Sequence, residues 1–199
     1  MKKSLWHIAL LLGALLLAPV QSHAADYSAD DCKKMGVFLS NFTELGFLNV
    51  DYAYMTEAQN PDMIRFGIRH NYINNFKSRI EMCENCKWGS LRIDGKYVQD
   101  TLKKYLDYDL KQLFTVENSD PVYHFDGKYY HFEGADGESV IFAGVTGVQD
   151  NPDGTLTMTG DLYNPDSEEK LGTFTAKAKP HTWNGQKTWA LLELKSNFE

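Results

Sequence analysis

Residues 139–164, SVIFAGVTGVQDNPDGTLTMTGDLYN, set two apolar or alternating runs on either side of Asp150-Asn151-Pro152-Asp153-Gly154. Asn, Pro and Asp favour a tight turn and Gly154 supplies the positive φ that it needs, so the stretch predicts a β-hairpin. In its second half Thr155, Thr157 and Thr159 alternate with Leu156, Met158 and Gly160, which predicts one solvated and one packed face. The same punctuation repeats outward. Upstream stand PVYHF, Asp126-Gly127 and KYYHFEG; downstream stand LGTFTAKAKP and KTWALLELK. Sequential hairpins of this kind predict an antiparallel meander over about residues 121–196.

Ahead of the meander, over about residues 28–114, the period is helical. Ser28 with Asp31 three residues on has the form of an N-cap with an acidic N3, and Cys32, Met35, Leu39 and Phe42 recur at three- and four-residue spacing before Gly46. A helix over about 29–45 is expected. Asn60 before Pro61 starts a second, PDMIRFGIRHNYINNF, because proline fits the first helical position. Asp62, Arg65 and Arg69 form one narrow polar stripe on it, and the apolar remainder predicts burial on several sides. A third helix is expected over about 95–107, capped by Asp94, with Val98, Leu102, Tyr105 and Leu106 aligned.

Helices first and a meander afterward predict an α+β domain in which about three N-terminal helices pack on a curved antiparallel sheet. This element order resembles the NTF2-like fold, and the sheet-on-helix arrangement is similar to cystatin-like domains. YHFDGKYYHFEGADGE and KPHTWNGQKTWALLELK also resemble stretches of uncharacterised exported bacterial proteins. The NTF2-like resemblance implies a conical cavity between sheet and helices, which some members use for ligands and a few for catalysis.

The first 24 residues, MKKSLWHIALLLGALLLAPVQSHA, join Lys2 and Lys3 to a 13-residue apolar run from Ile8 to Val20 and end in Ser22-His23-Ala24. That is the pattern of a secretory signal peptide. The run is shorter than the roughly 20 residues that span a bilayer, and no cysteine directly follows it to carry a lipid anchor. Residues 25–199 are therefore expected to form one exported domain, periplasmic ahead of secreted, with no membrane insertion of the mature chain. Without Lys2 and Lys3, 18 basic against 27 acidic residues leave a net charge of −9. Nucleic acid and anionic membrane surfaces are poor partners for such a balance, since the basic residues are also scattered.

Three groups of residues could carry chemistry. Cys83 and Cys86 stand at CxxC spacing in IEMCENCKW, but they follow a helix rather than opening one inside a βαβ unit, so a thioredoxin-type site is not expected. Zinc would need two more ligands, with Cys32 and a histidine as the source. An oxidising compartment favours one disulfide among Cys32, Cys83 and Cys86. Cys83 with Cys86 is the preferred pairing, and Cys32 bonded to either is the competitor. In RHNYINN, His70 and Asn74 fall roughly opposite Arg65 and Arg69 on the helical wheel. They form a satisfied core pair or, with Asn71, one wall of a ligand cavity. In VYHFDGKYYHF a two-residue turn at Asp126-Gly127 would face His124 with Tyr129, Tyr123 with Tyr130 and Val122 with His131, leaving His124 and His131 as diagonal neighbours. Tyr123, His124, Tyr129 and His131 are candidates for protein or glycan contact.

No phosphate loop, GxSxG elbow, HExxH helix or EF-hand pattern occurs in the sequence. The expectation is a non-enzymatic exported domain, without cofactor or metal, that binds a small ligand or an envelope or extracellular protein. The alternative is a cavity hydrolase or isomerase with His70 as general base.

Overall fold

The structure, a computed structural model, describes residues 27–134 and 140–199. The signal-peptide reading of residues 1–24 lies outside them. Among the described residues no helix is long and apolar enough to cross a membrane.

The chain is α+β with antiparallel sheets. The first helix, α1 (Ala29–Thr43), starts on a full capping box: Ser28 Oγ accepts the Asp31 N–H while Asp31 takes the Ser28 N–H. A two-residue strand, β1 (Val50–Asp51), and one turn, α2 (Tyr52–Met55), lead to α3 (Pro61–Asn74). Asn60 caps α3 through the Asp62 N–H, with Pro61 next to it. A second single turn, α4 (Phe76–Arg79), opens into β2 (Ile80–Met82) and β3 (Leu91–Asp94), after which Asp94 caps α5 (Gly95–Leu106). Beyond a long connection come β4 (His124–Phe125), β5 (Tyr129–Phe132), β6 (Phe142–Asp150), β7 (Leu156–Tyr163), β8 (Lys170–Trp183) and β9 (Gln186–Phe198).

Two sheets form where one was expected. β6 to β9 make the predicted meander, with β1 added beside β9, in the order β1-β9-β8-β7-β6. The second sheet has the order β2-β3-β5-β4. It draws two strands from the part of the chain read as helical, so that region contains β1, β2 and β3 as well as five helices and turns of helix. The physical reason is burial at alternate positions. Leu91 and Ile93 on β3 are buried beside Tyr130 and Phe132 on β5, while Arg92 and His131 face the other way.

The 4–5 hairpin is also wider than a two-residue turn would make it. His124 pairs with His131 and Phe125 with Tyr130, so Asp126, Gly127 and Lys128 form the connection and Tyr129, already in β5, has no partner on β4. Asp126 Oδ1 accepts both the Lys128 and the Tyr129 N–H at 2.8 Å, an Asx turn that needs the extra residues. The register moves by two positions, so every side chain keeps its expected face.

One core unites the sheets and helices. Phe42 and Phe66 stack with ring centroids 4.5 Å apart, Tyr105 meets both edge-on, and Ile93, Tyr130 and Phe174 bring in the two sheets. α1 lies along β6, the free edge of the large sheet. Ala143 N–H donates to Ser40 Oγ at 3.0 Å, Thr43 Oγ1 donates to the Ile141 carbonyl at 2.6 Å, and Tyr27 donates to Asp150 at the far end. Gly36 lets the backbones approach: a Cβ there would stand 2.8 Å from the Ala143 carbonyl oxygen. Edge groups that would otherwise be open to another strand are thus occupied by a helix of the same chain.

Candidate functional site

His70 sits on α3 at 4% exposure, between α1 and α5. Asn41 Nδ2 donates to the Val37 carbonyl at 2.7 Å, which fixes Asn41 Oδ1 as an acceptor. His70 Nε2 lies 2.8 Å from that oxygen and therefore carries the proton, and Tyr105 donates to the same oxygen at 3.0 Å. Nδ1 is left as a buried lone pair with no hydrogen-bond partner among the described residues. Burial, followed by the charges of Lys104 and Arg79, pushes the His70 pKa down to about 3, so the ring is neutral.

A polar depression of about 210 Å³ opens beside it, lined by His70, Asn41, Asn74, Arg79, Asp100 and Lys104 among others. The three residues grouped by the sequence separate here. Asn71 is fully buried and ties the helices together: its Nδ2 donates to Gly67 O at 2.7 Å and to Thr101 Oγ1 at 2.9 Å, and its Oδ1 accepts from Arg79 at 2.9 Å. Asn74 is exposed, because α3 ends there and leaves its packing, and its amide donates to Glu44 at 2.6 Å. Burial raises the Glu44 pKa, and the Asn74 bond opposes the rise.

A second depression, about 890 Å³, runs between α1 and β6. Cys32, Gly36, Val37, Phe142, Gly144 and Tyr163 give it a mainly apolar lining, and Val37 is 61% exposed. Asn41 and Asn74 line both depressions, so the two meet at those side chains. Cys32 is the free cysteine.

The histidine hairpin stands elsewhere, on the outer face of the small sheet. Glu81, Arg92, His131 and His124 form one row across its four strands, with Arg92 paired to Glu81 at 2.7 Å. The loop 83–90 crosses above this row. Cys83 and Cys86 are joined as a disulfide with Cα atoms 5.4 Å apart, which is the preferred pairing of the sequence. Trp88 stacks on His124 at 3.7 Å, and Gly89, at φ +145, passes so close to the Phe132 backbone that no side chain fits. Of the four residues expected at this surface, Tyr123 is buried against Phe132 on the core face and His131 is buried under the loop, while His124 and Tyr129 are half-buried.

His131 Nε2 bonds Asp126 Oδ2 at 2.7 Å, an acidic partner that the two-residue turn had not placed. Burial pushes the Asp126 pKa up, but the Tyr129 N–H, His131 and the Lys128 N–H outweigh it and bring it down to about 2. The carboxylate is ionised, so Nε2 carries the proton and the buried Nδ1 is again without a partner among the described residues.

Asn41, Tyr105 and Lys104 were absent from the sequence reading of the pocket. The available signal was the polar run Ser40-Asn41 followed by Thr43 at the end of an otherwise apolar face of α1. Comparison with protein-family models, with curated proteins and with solved structures finds no match to this chain.

Proposed function

We propose that the chain is an exported binding protein for a small amphiphile, non-enzymatic at the pocket that holds it, with an NTF2-like or cystatin-like arrangement of helix and meander. The order of α1 followed by the β6–β9 meander supports the fold assignment, and the leader pattern in residues 1–24 supports export. The observation that carries the function is the junction at Asn41 and Asn74. An apolar groove within the size range of ligand sites meets there a smaller polar pocket in which Arg79 and Lys104 outnumber the carboxylate of Asp100, beside an imidazole with an unused lone pair. An acyl chain suits the first, and a head group bearing an anion and an N–H or O–H donor suits the second. Lys104 and Arg79 would meet the anion, and the donor would give His70 Nδ1 the partner it lacks.

A catalytic role for His70 has less support. A general base works best with a pKa near the operating pH, and a ring held to about 3 is a weak proton acceptor at neutrality.

N-dodecanoylglycine, dodecanoate and dodecyltrimethylammonium separate these ideas by calorimetry. N-dodecanoylglycine is expected to bind one to one, dodecanoate more weakly and the ammonium not at all. The bound ligand should shield Cys32, the free thiol in the groove, from alkylation. Val37→Glu and Lys104→Glu should each weaken binding by at least about tenfold, which corresponds to about 1.4 kcal/mol. Folded protein that shows no saturable binding of either carboxylate rules the proposal out.

A further inference from the structure

We propose that Cys83–Cys86 is a thiol–disulfide exchange site in which His131, oriented by Asp126, takes the proton of the attacking thiol and pairs with the cysteine thiolate released when the bond opens. Cys83, Cys86 and a ring nitrogen of His131 all lie within 4.8 Å of one another. Asp126 holds Nε2–H, so the nitrogen left to act on sulfur is the bare Nδ1. In the disulfide state that buried lone pair has no donor among the described residues. In the dithiol state a cysteine S–H supplies one. Opening the bond therefore satisfies a group that the closed bond leaves unsatisfied, and a site that stabilises its own reduced form is an oxidant of other thiols.

A purely structural crosslink fits these observations less well. The bridge spans a sequence separation of 3, and a loop that short removes little chain entropy from the unfolded state. Both cysteines are partly exposed, whereas a bond kept only for stability gains from being sealed. Trp88 at 42% and Met82 at 69% exposure flank the pair and offer apolar contact to an approaching peptide. Among the described residues the charged groups set beside His131 are Asp126 from the turn and, along the row, Arg92 from β3 with its partner Glu81 from β2. His124 on β4 lies under Trp88, on which Lys87 rests.

The step balances against a partner dithiol. A partner thiol gives its proton to His131 Nδ1 and attacks one sulfur as the thiolate to give a mixed disulfide, and the other sulfur leaves as a thiolate paired with the ring so protonated. The partner's second thiol then displaces the first cysteine. Two electrons and two protons have moved to Cys83 and Cys86, and the partner carries the disulfide.

The test uses the mature chain carrying Cys32→Ser, so that only the pair is read, equilibrated with reduced and oxidised glutathione and quenched by alkylation. Asp126→Asn is the key variant. Its carbonyl still accepts the turn N–H groups, but its amide donates to Nε2 and moves the ring proton to Nδ1, the wrong tautomer for a base. The fully reduced parent should alkylate with a midpoint well below the ordinary thiol value of about 8.5. Asp126→Asn and His131→Gln should move that midpoint up and slow alkylation at pH 6.5 by at least about tenfold, with the glutathione equilibrium shifted toward the disulfide. Should His131→Gln fail to fold, the exposed turn position of Asp126 keeps the test available. An alkylation profile and equilibrium unchanged in Asp126→Asn would overturn the assignment and leave a structural bridge. A stoichiometric zinc complex of the reduced chain would overturn it in favour of a Cys83-Cys86-His131 metal centre.

Discussion

His70 and His131 are both at 4% exposure with one nitrogen bonded, and the acceptor decides their chemistry. A neutral amide holds His70 and a carboxylate holds His131. With Lys104 and Arg79 nearby and no anion bonded to the ring, His70 stays neutral in the folded chain down to about pH 3. Its unfolded counterpart takes a proton at about 6.5. The unfolded state thus binds more protons below that value, and stability must fall as pH drops from about 6.5 toward 3. The limiting slope for one such group is about 1.4 kcal/mol per pH unit. Asp107 adds nothing until lower pH. Burial raises its carboxyl, but Lys103 and Lys179 outweigh that and bring it to about 2, so its contribution is present above the unfolded value near 3.8 and lost below it. Urea unfolding between pH 8 and 4.5 should therefore show a slope that is smaller in His70→Gln, with that variant lower by about 1–3 kcal/mol at pH 7.5. Identical slopes would contradict the buried neutral ring.

At the scale of elements, the seam between α1 and β6 sets two tendencies against each other at Gly36. Alanine in a helix interior is better than glycine by about 0.5–1 kcal/mol. Here the added Cβ would meet a backbone oxygen at 2.8 Å, which cannot yield without parting helix from strand. The clash should win, with Gly36→Ala destabilised by about 1–3 kcal/mol in chemical denaturation. Val37→Ala, on the exposed side, should stay within about 0.5 kcal/mol. A stabilised Gly36→Ala would show that the seam is looser than described. The helices themselves were legible in the sequence, because Ser28, Asn60 and Asp94 each cap where their side chains predict and the apolar spacing matches the buried faces. β2 and β3 were not. Three and four residues are too few for an alternation to stand out in the sequence, and β5, the strand that pairs with β3, lies about 40 residues further on. The disulfide spacing could be seen in IEMCENCKW, but the His131–Asp126 pair beneath it could not, because that neighbourhood depends on the small sheet.

For the whole molecule, the shared core makes a prediction about cooperativity. Ile93, Tyr130 and Phe132 from the small sheet and Met158, Phe174 and Leu194 from the large one belong to a single buried cluster with α1, α3 and α5. Near-ultraviolet and far-ultraviolet dichroism should trace one coincident unfolding transition. An early transition confined to the aromatic signal would divide the chain into two units. The histidines of the pocket and the hairpin were individually visible in the sequence, yet Asn41 and His70 stand 29 residues apart and meet only through this packing. The strand order also has a consequence in time. β9 lies inside the large sheet, between β8 and β1, with Val50 opposite Leu194. A ribosome delivers Val50 long before Leu194 exists, so the β1 edge cannot be assembled stepwise as the chain emerges. Until Gln186–Phe198 has been synthesised the large sheet lacks an interior strand, and Val50 waits without its partner while the rest of the chain is made.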